Sequence, residues 1–411
     1  MMPVNTAANP SRLQWEPTRP KKKREWGNVT AERIGGRIRL LDILRGFAIF
    51  GTLGTNIWLF AHLGDLNFLF GYGIEWWTSV DHFLRLLVLF LVNGKFLGIL
   101  TILFGVGLEL KYRQALRNHA PWPGTYLWIC LFLLVEGFLH FALVMEFDIL
   151  MSYAVTAVLV AYIVRGGDRR INRVLKILGG SYALVMLAVV ALEIFLIASG
   201  ANLSWGNMDH VPALYREGTW LEQVAYRLSH FAALRIEAVI VIPLNVILFL
   251  TGIRLMRAGA FAPDERGRHI RRRMLRIGLG LGVPLNLLLF FPNGGFDLGV
   301  RYLFAPILSP GYMALIAKLV EKSENLKVWR YVESVGKMSL SCYVLQNILA
   351  SCLFYGWGLG WGSRLDSLSV IGVWLAICLA EAVFAKWWME HMRLGPMEWT
   401  RKSLLRWVAA R

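Results

Sequence analysis

Long apolar stretches alternate with short polar segments along most of the chain, and each is near the roughly 20 residues needed to cross a bilayer. The first stretch, residues 37–60, opens with charged residues and then carries no charge until Asp65. The fold class predicted from this pattern is an all-α, polytopic membrane helical bundle. The pattern predicts about ten spans, at about residues 39–63, 84–110, 123–145, 149–165, 172–199, 232–256, 272–291, 299–320, 336–357 and 368–390.

Composition supports this class. Of the 411 residues, 56% are hydrophobic and 17% are charged, and the mean hydropathy is +0.50. Soluble domains carry about 25% charged residues. The net charge of +17 does not indicate a nucleic-acid partner, because the basic residues fall in short blocks between apolar stretches. Every second loop is rich in Lys and Arg, which predicts that both termini are cytoplasmic and that the protein is multi-pass in the bacterial inner membrane.

Three regions follow from these patterns. Residues 1–36 lack an apolar stretch and contain a run of basic residues at 21–24, so we expect a disordered cytoplasmic tail that touches anionic lipid. Residues 37–392 form the transmembrane helical domain, and residues 393–411 form a second basic cytoplasmic tail. No cleavable signal peptide is expected. In the long outer loop, 200–231, apolar residues recur at helical spacing, which predicts a helix on the membrane surface.

A polar cluster opens the first span. Arg39, Asp42 and Arg45 are three residues apart and therefore share one side of a helix. An aspartate in a membrane span is costly unless it is paired, so we expect the two arginines to flank Asp42. Alternatively, Arg39 and Arg45 anchor the helix by reaching lipid phosphates. An amide, Asn56, lies near the other end of the span.

The third predicted span contains the best candidates for acid–base chemistry. Glu136 and His140 are spaced i, i+4, and Asp148 begins the next span after a tight turn. A carboxylate beside an imidazole can orient it and raise its basicity, as a general base requires. We therefore predict His140 as a base oriented by Glu136 or Asp148. The alternative is an intramembrane ion pair that fixes helix contacts.

Three further cations are candidate substrate-binding residues. Arg235 and Arg301 lie at the outer ends of different spans and could hold an anionic group or an oxyanion, or contact lipid phosphate. Lys95 lies in the middle of the second predicted span, so we expect it to face a cavity or a partner such as Asp42 or Glu136. The alternative for this region is close helix packing through its glycines, Gly94, Gly98 and Gly105.

No standard catalytic or metal-binding motif is present. The sequence contains no nucleophile elbow, zinc-protease helix, phosphate-binding loop or dinucleotide fingerprint in its proper context. The four cysteines lie inside apolar segments without metal-ligand spacing, which predicts core packing and no metal: Cys130, Cys342, Cys352 and Cys378.

The motifs together resemble a known family. Residues 41–48, Leu-Asp-Ile-Leu-Arg-Gly-Phe-Ala, followed by Asn56, are similar to the opening of the bacterial YeiB-like family, the domain of unknown function 418. The resemblance covers about residues 37–406, and its most specific part lies within about 235–406. One departure is Phe147, where the family usually has glycine. Further matching segments are 94–96, 103–105, 137–140, 148–150, 153–154, 336–346, 355–356 and 395–399.

The resemblance implies a function. The family has been grouped with transmembrane acyltransferases, which implies transfer of an acyl group from cytoplasmic acyl-CoA to a glycan or other envelope acceptor outside. Arg39 and Arg45 would then meet the CoA phosphates, His140 would deprotonate the acceptor, and Asn56 or Arg235 would stabilise the oxyanion. A small-molecule transporter is the alternative, since intramembrane charges and mid-span prolines also suit a substrate pathway. Homo-oligomerisation stays open.

Overall fold

A computed structural model describes residues 38–69, 76–201, 210–291 and 294–409. The regular elements in these ranges are helices, without a strand. The predicted tail at 1–36 and part of the predicted turn at 292–295 lie outside them. The helices are α1 (Arg39–Ala61), α2 (Leu66–Leu69), α3 (Val80–Val92), α4 (Lys95–Arg117), α5 (Tyr126–Leu143), α6 (Leu150–Val164), α7 (Gly167–Ala198), α8 (His210–Glu217), α9 (Trp220–Ser229), α10 (Phe231–Leu234), α11 (Ala238–Ala258), α12 (Glu265–Leu287), α13 (Asp297–Gly299), α14 (Ala305–Lys322), α15 (Val328–Lys337), α16 (Ser339–Phe354), α17 (Ser367–His391) and α18 (Pro396–Ala409).

The structure confirms an all-α, multi-pass membrane architecture. Within the described ranges, eight helical stretches are long and apolar enough to cross a membrane, and α6 and α16 are two shorter apolar helices. These two correspond to the predicted spans 149–165 and 336–357. They have 15 and 16 residues, which gives lengths of about 23–24 Å at the α-helical rise. Such helices are shorter than the hydrocarbon core of about 30 Å.

The predicted second span, 84–110, is one apolar stretch but two helices. α3 ends at Val92 and α4 begins at Lys95, because Asn93 has an extended backbone and Gly94 has a φ of +75°. A Cβ at position 94 would lie 2.8 Å from the carbonyl oxygen of Arg301. Hydropathy does not detect this break, since it depends on backbone conformation and on the segment that Gly94 approaches.

Ion pairs join several basic segments at one end of the bundle, which we call the basic end. Arg257 of α11 contacts Glu109 of α4 at 2.7 Å and Asp168 of α7 at 2.6 Å. Arg39 of α1 contacts Glu333 of α15 at 3.1 Å. The predicted inner loops therefore meet at this end.

The predicted outer loops meet at the opposite end, which we call the distal end. The amide of Ser363 donates to the carbonyl of Ala61, and the amide of Gly356 donates to the carbonyl of Tyr215. The long predicted loop 200–231 contains α8 and α9, which confirms a helix there. Thr219 and Glu222 form a capping box at the start of α9, and Leu221 is 69% exposed.

Two helices near the basic end, α15 and α18, pack against the spans and are not among the candidate membrane-spanning helices. α15 packs against α1 so closely that a Cβ at Gly336 would overlap the backbone carbonyl of Asp42. α18 holds the start of α16, because Glu398 accepts hydrogen bonds from the amide of Leu340 at 2.9 Å and from the hydroxyl of Ser341. This contact satisfies amides that the first turn of a helix otherwise leaves without a partner.

Candidate functional site

A cavity opens between helices in the distal half of the bundle. Its walls come from α1, the α3–α4 break, the turn before α6, and the segments around the starts of α11 and α14. It brings together four of the predicted site residues: Asn56, Asp148, Arg235 and Arg301. The other polar lining residues are Asn93, Thr101, Glu146, Ser152, Glu237, Asn245 and Tyr302.

The predicted base and one of its predicted partners are neighbours beside this cavity. Nδ1 of His140 and Oδ1 of Asp148 are 3.2 Å apart, and their side chains are 1% and 0% exposed. The two atoms are at ion-pair distance but lack the alignment of a good hydrogen bond. Catalytic hydrogen bonds are often poorly aligned before substrate binds, so this geometry is compatible with an oriented base.

Local structure explains why Asp148 reaches His140. Asp148 lies just before α6, and its Oδ2 accepts a hydrogen bond from the amide of Met151 at 3.0 Å, which fixes the carboxylate. Gly137 lets α5 approach this turn, since a Cβ there would lie 2.6 Å from the Met151 nitrogen and 2.9 Å from Oδ2 of Asp148. Any larger residue at 137 would push the two helices apart.

Two asparagines connect the other side of the imidazole with the cavity. Nε2 of His140 is 3.3 Å from Nδ2 of Asn347, and Asn56 donates to Oδ1 of Asn347 at 3.3 Å. If Asn347 donates to Nε2, the imidazole proton is on Nδ1 and faces Asp148. His140 does not itself line the cavity, whereas Asn56 and Asp148 do.

Glu136, the other carboxylate predicted for His140, has a different environment. It is half-buried, and the charges that act on it most strongly belong to Arg401 and Glu398 of α18. Within the described part of the chain, no hydrogen bond joins it to His140. Of the two predicted orienting groups, the one beside the imidazole is therefore Asp148.

The two arginines that line the cavity already have protein partners. Arg235 donates to the carbonyl of Asp148 at 2.8 Å and to the hydroxyl of Ser152 at 3.3 Å. Arg301 lies 3.4 Å from Glu237, which also accepts a hydrogen bond from Tyr302 at 2.5 Å. Arg235 thus stabilises the turn that carries Asp148, and the charge of Arg301 is balanced.

Lys95 lies at the first position of α4 and is 0% exposed. Its Nζ has no hydrogen-bond partner among the described residues and lies 5.7 Å from the ring centroid of Phe90. It does not line the cavity. Neither of its predicted partners, Asp42 or Glu136, forms an ion pair with it in the described structure. Lys95 is therefore buried, but within the described residues it neither lines this cavity nor pairs with Asp42 or Glu136, so the environment predicted for it is not found.

The first-span cluster lies far from the cavity, at the basic end. Arg45 pairs with Asp42 at 2.9 Å, as predicted, and Asp42 is 2% exposed. Arg39 instead contacts Glu333 and Glu324, at 3.1 and 3.9 Å. The prediction that both arginines flank Asp42 therefore holds for Arg45 alone, because Arg39 lies within ion-pair distance of Glu333 on α15 and of Glu324 in the segment before it.

Sequence reasoning missed several residues that shape the site. Asn347 occupies a position one turn after Tyr343, whose ring packs 5.1 Å from that of His140. Arg227 of α9 is 0% exposed and donates to the carbonyls of Ala142 and Val144 at 3.0 and 3.2 Å. The i, i+4 spacing of Tyr343 and Asn347 places both on one face of α16 and could have indicated Asn347 from the sequence. Nothing in the local sequence distinguishes Arg227 from other loop arginines.

A second buried contact holds the turn between α5 and α6. Tyr215 of α8 donates to Glu146 at 2.6 Å. Burial, with the nearby charge of Glu146, raises the pKa of Tyr215 well above its ordinary value, so the phenol stays protonated and keeps this hydrogen bond. In the described ranges, no group of three or more His, Cys, Asp and Glu residues has metal-binding geometry.

Comparisons with known proteins give relatives along nearly the whole chain. Residues 255–408 match the family described as protein of unknown function (DUF418). The uncharacterized protein YxaH of Bacillus subtilis (strain 168) is 24% identical over 396 residues, which cover 91% of this chain and 94% of the relative. The uncharacterized protein YeiB of Escherichia coli (strain K12) is 26% identical over 382 residues, which cover 89% and 95%. No solved structure matches the chain significantly.

Proposed function

We propose that this chain, which belongs to the YeiB-like DUF418 family, is a transmembrane acyltransferase of the bacterial inner membrane. It takes an acyl group from acyl-CoA at the basic, cytoplasmic end and transfers it to an envelope or glycan acceptor at the distal end. The observation that carries this proposal is the buried Asp148–His140 pair, linked through Asn347 and Asn56 to a distal cavity.

The chemistry follows from the positions of these groups. An acceptor hydroxyl or amine that displaces Asn347 from Nε2 of His140 would lose its proton to that nitrogen and attack the thioester carbonyl. Asp148, held by the Met151 amide, would stabilise the imidazolium that forms. Collapse of the tetrahedral intermediate breaks the C–S bond, and His140 returns the proton to the CoA thiolate. The Asn56 amide lies at the cavity wall, where it can donate to the oxyanion.

The donor would bind at the opposite end. Arg39 and Arg45 have side chains that are 24% and 25% exposed, and both are paired with carboxylates. CoA phosphates would exchange for those carboxylates or share the guanidinium groups. The acyl-pantetheine arm would then extend between the helices toward the distal cavity, since the first-span cluster does not line it.

Transfer kinetics with purified protein in lipid nanodiscs test the proposal. With radiolabelled acetyl-CoA and an envelope fraction as acceptor, we expect His140→Ala to lose on the order of 10²–10⁴ in transfer rate, with CoA binding retained. Arg45→Ala should weaken CoA binding and leave the distal site intact. His269→Ala is the matched control, because His269 is exposed near the start of α12. Full transfer activity in His140→Ala contradicts the proposed mechanism.

The orientation has its own test. Reporter fusions after Arg117, Asp168, Glu265 and Asn325 should all report the cytoplasm, because these positions lie in the basic segments. An external signal at any of them contradicts the orientation in which acyl-CoA reaches Arg39 and Arg45.

One observation favours transport as the second candidate. The broken helix α3–α4 contributes Asn93 and Gly94 to the cavity wall, and discontinuous helices line substrate sites in many transporters. Binding of acyl-CoA separates the candidates. If wild-type protein binds neither acetyl-CoA nor palmitoyl-CoA, acyl transfer is excluded and transport becomes the better explanation of the cavity.

A further inference from the structure

Two asparagines on the cavity wall have unused hydrogen-bonding groups. Asn93, at the α3–α4 break, is 4% exposed, and Asn245, on α11, is 3% exposed. Oδ1 of Asn93 and Nδ2 of Asn245 are buried and have no hydrogen-bond partner in the part of the chain that the structure describes. One is an acceptor and the other a donor, although an amide flip would exchange these roles.

Such groups are unfavourable in a folded protein. A buried amide without a partner lowers stability by about 1–3 kcal/mol, and native structures retain few of them. Both residues line the same cavity, so a molecule bound there could contact both amides.

The backbone at Asn93 explains how this amide comes to the wall. A continuous helix would place residue 93 among ordinary i, i+4 contacts, but the extended conformation at Asn93 and the positive φ of Gly94 end α3 there. The contact between Gly94 and the Arg301 carbonyl prevents a larger residue from replacing this glycine. The break is therefore held by packing, and Asn93 stays at the cavity.

The charged groups on the wall indicate what kind of molecule fits. Asp148 lies beside His140, Arg301 pairs with Glu237, and Arg235 donates to backbone carbonyls. Because each of these side chains already has a hydrogen-bond or ion-pair partner, an ionic ligand would compete with these contacts. An uncharged ligand group can instead use the amides.

We propose that Asn93 and Asn245 form a binding subsite for an uncharged group that both donates and accepts hydrogen bonds, such as a hydroxyl or a secondary amide. Under the proposed acyl transfer, two molecules carry this chemistry: a hydroxyl-bearing acceptor and the pantetheine arm of the donor. The subsite itself does not depend on acyl transfer, because its contacts form on binding, before any bond is broken.

Equilibrium binding and thermal unfolding of the full chain in nanodiscs test the subsite. The probes are pantetheine and methyl β-glucoside, with 4′-phosphopantetheine and glucose 6-phosphate as their charged counterparts. We expect at least one neutral probe to bind wild type, no more weakly than its charged counterpart. Asn93→Leu and Asn245→Leu, which keep approximately the side-chain volume, should each weaken that binding about tenfold or more, the effect of losing roughly 1.4 kcal/mol.

Stability separates a binding role from a structural role. If the two amides lack partners in the free protein, replacing either by Leu should leave the melting temperature unchanged or raise it. Asn286→Leu is the matched control. This buried asparagine donates to the Gly282 carbonyl at 2.7 Å, its Oδ1 has no partner among the described residues, and it does not line the cavity, so its replacement should leave probe binding unchanged.

The outcomes are distinct. Binding of pantetheine alone assigns the subsite to the donor, and binding of the glucoside alone assigns it to the acceptor. The subsite is refuted if neither probe binds wild type, if the Leu variants bind normally, or if both variants lose stability. Loss of probe binding in the Leu variants of a protein that transfers no acyl group would refute the proposed function and leave the subsite standing.

Discussion

The basic end and the distal half of the bundle differ in whether their buried polar groups have hydrogen-bond partners. At the basic end, Glu109 is 2% exposed and accepts from Nε of Arg257 at 2.9 Å, from its Nη2 at 2.7 Å, and from Arg113 at 2.7 Å. In the distal half, Asn93 and Asn245 line a cavity and have buried groups without hydrogen-bond partners among the described residues. Both ends place polar groups inside a membrane bundle, where each group without a partner is costly.

This difference distinguishes buried polar groups that hold helices together from buried polar groups that can still bind a ligand. The carboxylate of Glu109 is used by two arginines, one of them bidentate, so this cluster joins α4 to α11 and leaves little capacity for a ligand. The distal groups are arranged around open space, and their hydrogen-bonding capacity remains. We therefore place recognition and chemistry in the distal half, and we interpret the Glu109 cluster as a clamp.

Breaking the clamp should give the largest loss of stability. Glu109→Ala leaves the Arg257 guanidinium without its bidentate partner, and removal of one member of a buried pair lowers stability by about 3–5 kcal/mol. Arg257 is itself 18% exposed, so we expect the lower part of this range. Denaturant unfolding of the purified protein in mild detergent measures the change in the free energy of unfolding.

A double variant shows whether the clamp acts as a pair. Glu109→Leu combined with Arg257→Leu removes both charges, and it should reduce stability less than Glu109→Ala alone. Equal losses in the single and double variants would mean that the pair is not coupled, and the contrast between the two ends would then weaken.

Helix packing between the two ends should give an intermediate effect. A Cβ at Gly105 of α4 would overlap the backbone carbonyl of Phe249 on α11, whereas a Cβ at Gly107 meets nothing within 4 Å. Gly105→Ala should lower stability by about 1–3 kcal/mol through overpacking. Gly107→Ala, the matched control on the same helix, should raise it by up to about 1 kcal/mol. Thermal unfolding of both variants measures the difference, and similar melting temperatures contradict close α4–α11 packing.

The smallest expected effect is a pH dependence at the distal surface. The backbone amide of Thr219 donates to Glu222 at 2.7 Å, and its hydroxyl does so at 2.9 Å. These bonds lower the pKa of Glu222. The ionised carboxylate therefore stabilises α9 above the ordinary glutamate pKa of about 4.3, and this contribution is lost as the pH falls through the lowered pKa of the folded state.

Amide hydrogen exchange in α9 measures this effect. Protection of the first turn should fall on acidification in wild type and should be low and less pH-dependent in Glu222→Gln. Because α9 also carries Arg227, which holds the end of α5, the same experiment reports whether the distal turn loosens with α9. A pH-independent first turn in wild type would contradict the capping contribution of Glu222.

Parts of the site could be predicted because they depend on short-range spacing. Asp42 and Arg45 are three residues apart on one helix, and they do pair. His140 in α5 and Asp148 before α6 are separated by the short turn between these helices, and their side chains lie 3.2 Å apart. The choice between Glu136 and Asp148 could not be made in this way, since both lie within reach along the chain and only the approach of α6 and α18 distinguishes them.

The sequence by itself determined the membrane class, the positions of most spans and the helix in the loop before α10, because hydropathy and helical periodicity are properties of short segments. Tertiary structure alone decided that Asn56 meets Asn347, that Arg39 meets Glu333, and that the second apolar stretch breaks at Gly94. These contacts join residues about 200–300 positions apart, or depend on a backbone approaching from another helix. Their physical basis is the packing of whole helices, which no local pattern in the chain contains.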